Sequence, residues 1–177
     1  MEWKPIFTGS LLRLSAARPE DGTIIANWTT DDEYLRLVDT DIARPLSVAQ
    51  VDNNPASDYE FRLRRLVDDA LVGFVALFGL EWGNRTAKMA IGIGDARFRG
   101  MGYGTEGMRL ILNYAFGELN LHRVGLDVIE YNRPAIALYQ KMGFQVEGRN
   151  REAVYRQGQY YDRIEMGILE REWGEGK

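Results

Sequence analysis

A glycine-rich run, Arg99-Gly100-Met101-Gly102-Tyr103-Gly104-Thr105, stands between an apolar, strand-like stretch and a long amphipathic helical pattern. Three glycines within five residues remove side chains from a loop that leads straight into a helix N-terminus. At such a terminus the backbone N–H groups lack intrahelical partners and the helix dipole is positive. This glycine loop (residues 99–105) therefore fixes the local order as strand, loop and helix, and it predicts a site for an anion, typically a phosphate.

Hydrophobic periodicity predicts a strand, helices, three strands, a helix, a strand, a helix and two final strands. The predicted strands cover residues 11–14, 59–63, 71–78, 87–94, 123–129, 144–146 resuming at 153–156, and 160–169. The predicted helices open at Pro19, cover residues 33–38, 47–52 and 103–119, and follow Asn132 as far as Gly143. This order is typical of an α/β (α+β) protein whose mixed sheet has helices on both faces. The absence of repeats and linkers predicts one domain over residues 1–177.

Composition narrows the chemistry that the chain can perform. Cysteine is absent, which excludes disulfides, thiolate nucleophiles and cysteine metal sites and suits a cytoplasmic protein. His122 is the only histidine, so a multi-histidine metal site is excluded and we expect no metal. The net charge of −4 argues against nucleic acid as a partner. We also expect no membrane segment and no secretory signal, because no long apolar run is present.

The spacing of the glycine loop matches neither the Walker motif nor the dinucleotide motif. It reads Arg99-x-x-Gly102-x-Gly104, and the run Val-Ile-Glu-Tyr-Asn-Arg-Pro-Ala-Ile-Ala-Leu-Tyr-Gln-Lys-Met-Gly-Phe follows at residues 128–144. In these two motifs the chain resembles the GNAT superfamily of acetyl-CoA-dependent N-acetyltransferases. The segments Glu147-Gly148 and Gly158-Gln159-Tyr160-Tyr161-Asp162 are similar to the branch containing ribosomal-protein N-terminal and spermidine acetyltransferases.

The resemblance implies a GNAT-like, mostly antiparallel sheet of about seven strands, and acetyl-CoA as the cosubstrate. Its pyrophosphate would meet the backbone of Arg99, Gly100, Met101, Gly102, Tyr103, Gly104 and Thr105. Its pantetheine arm would pair with the strand containing Gly92, Ile93 and Gly94, where the glycines predict a bulge or a close backbone approach, and such a bulge would splay the sheet. Asn132 either reaches the pantetheine or caps the next helix. Tyr139 either protonates the departing thiolate or is a core aromatic residue.

The acceptor side is less defined by sequence. Transfer requires a neutral amine, and members of the branch carry glutamate in an R-x-A-E run where this chain has Arg85-Thr86-Ala87-Lys88. Lys88 cannot act as that carboxylate, which favours an α-amino group, because more of it is neutral at pH 7 than of a lysine-type amine. The remaining candidates for this carboxylate are Asp31, Glu33, Asp41, Glu81 and Glu130. The alternative for each of them is an ordinary charge on the surface.

The function predicted from these residues is direct acetyl transfer from acetyl-CoA to a primary amine in a ternary complex. The acceptor is expected to be a protein or peptide N-terminus or a small amine. The alternatives are a polyamine such as spermidine, an aminoglycoside or amino-acid-like molecule, a non-catalytic acyl-CoA-binding module, and a phosphate-binding turn without a role in CoA binding. The resemblance also implies a homodimer, for which the predicted C-terminal hairpin offers an aromatic surface of Tyr155, Tyr160 and Tyr161.

Overall fold

The computed structural model describes residues 5–38, 42–53 and 59–175. The strands are β1 (Leu12–Ser15), β2 (Tyr59–Arg65), β3 (Leu71–Glu81), β4 (Thr86–Ile93), β5 (Arg123–Ile129), β6 (Gln145–Arg156) and β7 (Gln159–Leu169). The helices are α1 (Asp21–Trp28), α2 (Asp32–Val38), α3 (Val48–Asp52), α4 (Tyr103–Gly117), α5 (Arg133–Lys141) and α6 (Glu170–Glu175). A single 3₁₀ turn, Ala96–Phe98, precedes α4 in the described part of the chain.

The strands form one sheet in the order β1-β2-β3-β4-β5-β7-β6. Every neighbouring pair is antiparallel except β4 and β5, which run parallel. A parallel pair needs a crossover connection, and α4 supplies it. The predicted seven-stranded, mostly antiparallel GNAT-like fold is confirmed.

Helices cover both faces of the sheet. Neighbouring residues of one strand point to opposite faces, so they contact different helices. On β2, Leu63 is fully buried against the α4 side, where its methyl groups lie beside Gly107. The next residue, Arg64, instead bonds to Asp21 of α1, with 2.5 Å between Nη2 and Oδ1. The main core therefore lies between the sheet and helices α4 and α5, and a smaller cluster around Trp28, Tyr34 and Leu71 lies beneath α1 and α2.

The parallel pair separates soon after it begins. β4 and β5 pair only where Thr86, Ala87 and Lys88 face Arg123, Val124 and Gly125. Beyond these positions β4 continues to Ile93 and β5 to Ile129 with no pairing between them. We call the gap between residues 89–93 and 126–129 the wedge.

Of the two alternatives predicted at Gly92 and Gly94, the bulge is absent and a close approach of neighbouring groups is present, and the sheet is splayed as predicted. The register between β3 and β4 is regular from Gly73 opposite Ile93 to Phe78 opposite Lys88. The glycines serve close packing instead. A Cβ at Gly92 would lie 2.7 Å from the ring of Phe74, and one at Gly94 would overlap the indole of Trp28. Both contacts lie on the side of the sheet covered by α1 and α2.

Two further differences from the sequence-based expectation concern the C-terminal part. β6 is one strand rather than two pieces, and its register shifts between Asn150 and Val154 absorb the irregular pattern. α6 was not predicted, because its six residues are too few to show a helical period. No helix in the described ranges is long and apolar enough to cross a membrane.

Candidate active site

The glycine loop presents a row of unpaired backbone donors at the start of α4. Gly100 and Gly102 have φ values of +74° and +85°, in the left-handed region that favours glycine. The first backbone N–H of the helix to find a partner is that of Glu106, which donates to Gly102 O at 3.0 Å. No backbone N–H from Gly100 to Thr105 donates to any described residue. Six N–H groups at a positive helix end fit a diphosphate.

Gly104 has a different role from the other two glycines of the loop. A Cβ at this position would lie 3.4 Å from Leu138 Cδ2, which is ordinary contact distance. Gly104 thus marks the place where α4 passes close to α5. Only Gly100 and Gly102 need glycine for their backbone conformation.

Glu106, in the first turn of α4, is a buried carboxylate that sequence reasoning missed. Its oxygens accept hydrogen bonds from Ser10 N and Oγ at 2.8 and 2.6 Å, from Leu11 N at 2.7 Å and from Leu12 N at 2.6 Å. Burial alone raises the pKa of Glu106, but these hydrogen bonds outweigh burial and hold the pKa below its usual value. The carboxylate therefore ties the segment before β1 to the helix behind the glycine loop. No sequence motif around Ser10 signals this contact.

Arg99 points away from the unpaired N–H groups. Its Nη1 donates to Glu33 Oε2 at 2.6 Å, and its Nη2 lies 3.1 Å from both Asp31 Oδ2 and Gly94 O. The guanidinium thereby joins the end of β4 to the start of α2. Two predicted acceptor carboxylates, Asp31 and Glu33, are consequently engaged in ion pairs with Arg99.

The open end of the wedge is bridged by α2. Tyr131 Oη donates to Arg36 O at 2.7 Å, and Asn132 Nδ2 donates to Leu37 O at 3.2 Å. Asn132 Oδ1 also accepts from Ala135 N at 3.2 Å, which confirms the predicted cap of α5. Asn132 is buried. Its two hydrogen bonds link the chain after β5 to α2 and to the first turn of α5 at the mouth of the wedge.

Tyr139 lies on the inner face of α5, with its ring centroid 6.1 Å from that of Phe144. Only 9% of the residue is exposed, and burial raises the pKa of its phenol from 10 to about 12. No described residue is hydrogen-bonded to its hydroxyl. A phenol in this environment is fully protonated at neutral pH, and its hydroxyl proton is not donated to any described residue.

A cavity of about 570 Å³ lies between α2 and the β6–β7 hairpin. Its size is in the range of small-molecule sites. We call it the acceptor pocket. It is lined by Asp32, Glu33, Arg36, Leu37, Tyr131, Arg156, Gln157 and Tyr161.

Comparison with known proteins identifies this combination of fold and site. The family model for the acetyltransferase (GNAT) domain matches residues 12–145. The chain belongs to the GNAT acetyltransferase family. It is therefore an acyltransferase, and the predicted transfer of an acetyl group to an amine is confirmed at this level.

The relatives of this GNAT acetyltransferase include both kinds of enzyme in the predicted branch. An uncharacterized SPbeta prophage-derived N-acetyltransferase of Bacillus subtilis, YokL, is 32% identical over 94% of each chain. The putative ribosomal N-acetyltransferase YdaF of the same organism is 34% identical over 61% of this chain and 58% of its own length.

Among solved structures, the spermidine N-acetyltransferase of Vibrio cholerae in complex with CoA and spermine superposes with a TM-score of 0.80. It is 26% identical to this acetyltransferase, over 92% of this chain and 97% of the other. A dodecameric structure of the Vibrio cholerae enzyme gives a TM-score of 0.76 at 25% identity, over 96% of this chain and all of that chain. The CoA-bound neighbour supports acetyl-CoA as the cosubstrate.

The remaining predicted acceptor residues of the acetyltransferase are dispersed. Lys88 stands at the vertex of the wedge, where its Nζ lies 2.8 Å from Asp127 Oδ2. Glu81 is the last residue of β3, beyond the closed end of the wedge, and accepts a hydrogen bond from Asn84. Glu130 is paired with Arg149. Asp41 lies outside the described residues.

Sequence reasoning also missed most of the residues of the acceptor pocket. Asp32 and Arg36 lie on one short helix four residues apart, and that spacing resembles an ordinary surface ion pair. Tyr161 was assigned to a dimer surface, but it lines the pocket with Tyr131, and the two ring centroids are 4.9 Å apart. Only the folded hairpin brings these side chains opposite α2.

Proposed function

We propose that this acetyltransferase binds acetyl-CoA in the wedge and transfers the acetyl group directly to a primary amine held in the acceptor pocket. The observation that carries the proposal is the row of six unpaired N–H groups at the mouth of the wedge. They would hold the pyrophosphate, while the splayed edge of β4 with Gly92 and Ile93, together with the next residue Gly94, would receive the pantetheine arm. Asn132 would meet that arm with the amide that now bonds to Leu37.

The proposed reaction needs one proton to leave nitrogen and one to reach sulfur. The amine lone pair attacks the thioester carbon, the C–N bond forms, and the C–S bond then breaks. Tyr139 donates its proton to the departing sulfur as the bond breaks and regains one from the nitrogen through solvent. Burial keeps the phenol protonated, so the acid is ready in every turnover.

The acceptor that we favour is an α-amino group, of a peptide or of a small molecule. At pH 7 about a tenth of an α-amino group is uncharged, against about a thousandth of a lysine-type amine. A site without a dedicated base therefore favours the α-amine. This chain has Lys88 at the expected glutamate position, and Arg99 engages Asp31 and Glu33. A polyamine is the second candidate, because the Vibrio cholerae relative is a spermidine N-acetyltransferase.

The test combines binding with turnover. We expect calorimetry to detect CoA binding, and we expect release of CoA thiol with N-terminal peptides or amino acids to exceed release with spermidine or aminoglycosides. CoA binding without transfer to any amine would indicate an acyl-CoA-binding module instead. Absence of binding at millimolar CoA would contradict the donor site.

We also propose self-association through the β6–β7 hairpin, as a homodimer or as part of a larger assembly. Tyr155 and Tyr160 are 57% and 62% exposed, and their rings lie 4.9 Å apart on the outer side of the hairpin. Exposed aromatic residues in contact with each other are typical of protein interfaces. The dodecameric Vibrio cholerae enzyme supports a multimer without fixing its size.

A further inference from the structure

The acceptor pocket contains charges of both signs, and only some of the charges on its α2 side form ion pairs with described residues. Asp32 and Glu33 contribute carboxylates, and the Glu33 carboxylate already bonds to Arg99. Arg36 lines the same wall and makes no ion pair with any described carboxylate. Asp32 likewise makes no ion pair with a described residue, so this wall presents one carboxylate and one guanidinium that are both unpaired among the described residues.

The opposite wall adds a second guanidinium. Arg156, the last residue of β6, lines the pocket from the hairpin side. Tyr131 and Tyr161 lie in the same pocket in edge-to-face contact. The described lining thus combines two arginines and two carboxylates with a pair of aromatic rings, which matches a ligand that carries charges of both signs better than a purely cationic one.

The pocket adjoins the place where acetyl transfer is proposed. Leu37 and Tyr131 both line it, and Asn132 at the mouth of the wedge donates to Leu37 O at 3.2 Å. A small molecule in the pocket is therefore next to the proposed donor site. Any second charged group of that molecule meets the arginines.

We infer that the acceptor is an amine that also carries a carboxylate, of the amino-acid or short-peptide class, and that Arg36 and Arg156 bind this carboxylate. The inference rests on the proposed function and names its substrate class. A guanidinium binds a carboxylate through two parallel hydrogen bonds, which gives both affinity and orientation. A polyamine would instead place further ammonium groups against the same two cations.

The test uses two acceptors with the same amine, phenylalanyl-glycine and phenylalanyl-glycinamide, with spermidine as the third. We expect kcat/KM for the acid to exceed that for the amide by about tenfold or more, since hydrogen bonds to charged groups are worth at least that factor. Spermidine should give the lowest value. Arg36→Gln should bring the acid-to-amide ratio close to one, and Arg36→Lys should give an intermediate ratio.

The control is Arg151→Gln, which removes an exposed arginine on β6 that does not line the pocket. Its acid-to-amide ratio should equal that of the unsubstituted protein. An unsubstituted protein that prefers the amide or spermidine would overturn the inference while leaving the acetyltransferase function intact. So would an unchanged ratio in Arg36→Gln.

Failure of the proposed function itself is recognised separately. If neither peptide releases CoA thiol, the same peptides are titrated into the CoA-saturated protein by calorimetry. Tighter binding of the acid, lost in Arg36→Gln, supports the inference independently of turnover. Equal binding of the acid and the amide contradicts it. Circular dichroism of each variant verifies that the fold is retained.

Discussion

At the scale of single residues, burial raises the pKa of both Tyr139 and Glu106, but hydrogen bonds reverse the net shift only at Glu106. Tyr139 has no described partner to offset burial, so its pKa rises to about 12 and the phenol stays neutral. Glu106 is equally hidden, but four hydrogen bonds stabilise its charged form. One residue is thereby kept as a proton donor and the other as a fixed anion.

Tyr139→Phe removes the hydroxyl and leaves the ring in the core. We expect kcat to fall about a hundredfold or more, the usual contribution of a positioned acid, with little change in the Kd for CoA. Stopped assays of thiol release and calorimetry measure the two quantities. Tyr114→Phe is the control, because Tyr114 is also partly buried with a raised pKa but lies in an aromatic cluster beside Phe61. Equal turnover in Tyr139→Phe would contradict the assigned role.

The pH dependence of the reaction follows from the same pKa. An acid with a pKa of about 12 stays protonated well above pH 10. We therefore expect kcat/KM to rise with pH as the acceptor amine becomes neutral and then to stay level through pH 10. Initial rates with an α-amino acceptor measure this profile. A fall in kcat/KM between pH 9 and pH 10 would contradict this expectation. If Tyr114→Phe shows the same fall and Tyr139→Phe does not, the phenol of Tyr139 titrates near its ordinary pKa.

Glu106→Gln tests the fixed anion through stability. Since the folded pKa of Glu106 is lowered, its stabilisation is present above the unfolded pKa and is lost as pH falls through the folded value. We expect the variant to lose about 2 kcal/mol at pH 7 and to differ less from the unsubstituted protein at acid pH. Urea unfolding at both pH values measures the difference. Glu118→Gln, an exposed change at the end of α4, should be neutral at pH 7.

At the scale of elements, the glycine loop depends on backbone conformation more than on side chains. Gly102 caps α4 at a φ of +85°, where an added Cβ strains the chain but has no close neighbour except Leu11, at 3.6 Å. Gly158 has nearly the same φ, +80°, in the β6–β7 turn. A substitution at Gly158 therefore measures the cost of backbone strain alone, and the same substitution at Gly102 adds the effect of strain at the anion site.

Gly102→Ala and Gly158→Ala should each lower the free energy of unfolding by about 1 kcal/mol, the cost of a left-handed non-glycine residue. Only Gly102→Ala should also weaken CoA binding, because it disturbs the row of N–H donors. Urea unfolding and calorimetry measure the two effects. Similar CoA affinities in the two variants would place the pyrophosphate elsewhere.

Arg99 and Arg97 give a matched pair on the segment between β4 and α4. Arg99 reaches α2 and Gly94, whereas Arg97 bonds only to Asp95 in its own turn among the described residues. Arg99→Gln should therefore raise the KM for the acceptor several-fold through displacement of α2, with a smaller change in CoA affinity. Arg97→Gln should change neither. A large loss of CoA affinity in Arg99→Gln, with KM unchanged, would assign the arginine to the phosphates instead.

The elements themselves were largely predictable from sequence, and the reasons are local. Alternation in residues 59–63, an apolar run at 71–78 and the cap at Asn132 each specify one element without help from the rest of the chain. The direction of Arg99 was not predictable, since it depends on where α2 lies. The acceptor pocket was not predictable either, because Arg36 and Arg156 are 120 positions apart in the sequence and line the same pocket only in the folded chain.

At the scale of the whole molecule, the β6–β7 hairpin offers the test of self-association. Tyr155→Ser combined with Tyr160→Ser should lower the molecular mass measured by light scattering, because the exposed aromatic pair is lost. Val67→Ser, at another highly exposed position in the β2–β3 turn, should leave the mass unchanged. An unaltered mass in the double variant would place the interface elsewhere. The expectation of one domain over residues 1–177 stays a prediction.

The wedge has a consequence for the solubility of this sheet. A continuous seven-stranded sheet exposes two strand edges, but the separation of β4 from β5 creates two more in its interior. Unpaired strand edges invite pairing with other extended chains, which is a route to aggregation. Here α2 lies across the gap, held by the bonds from Tyr131 and Asn132. The helix that forms one wall of the acceptor pocket therefore also shields the interior edges from extended chains that would pair with them.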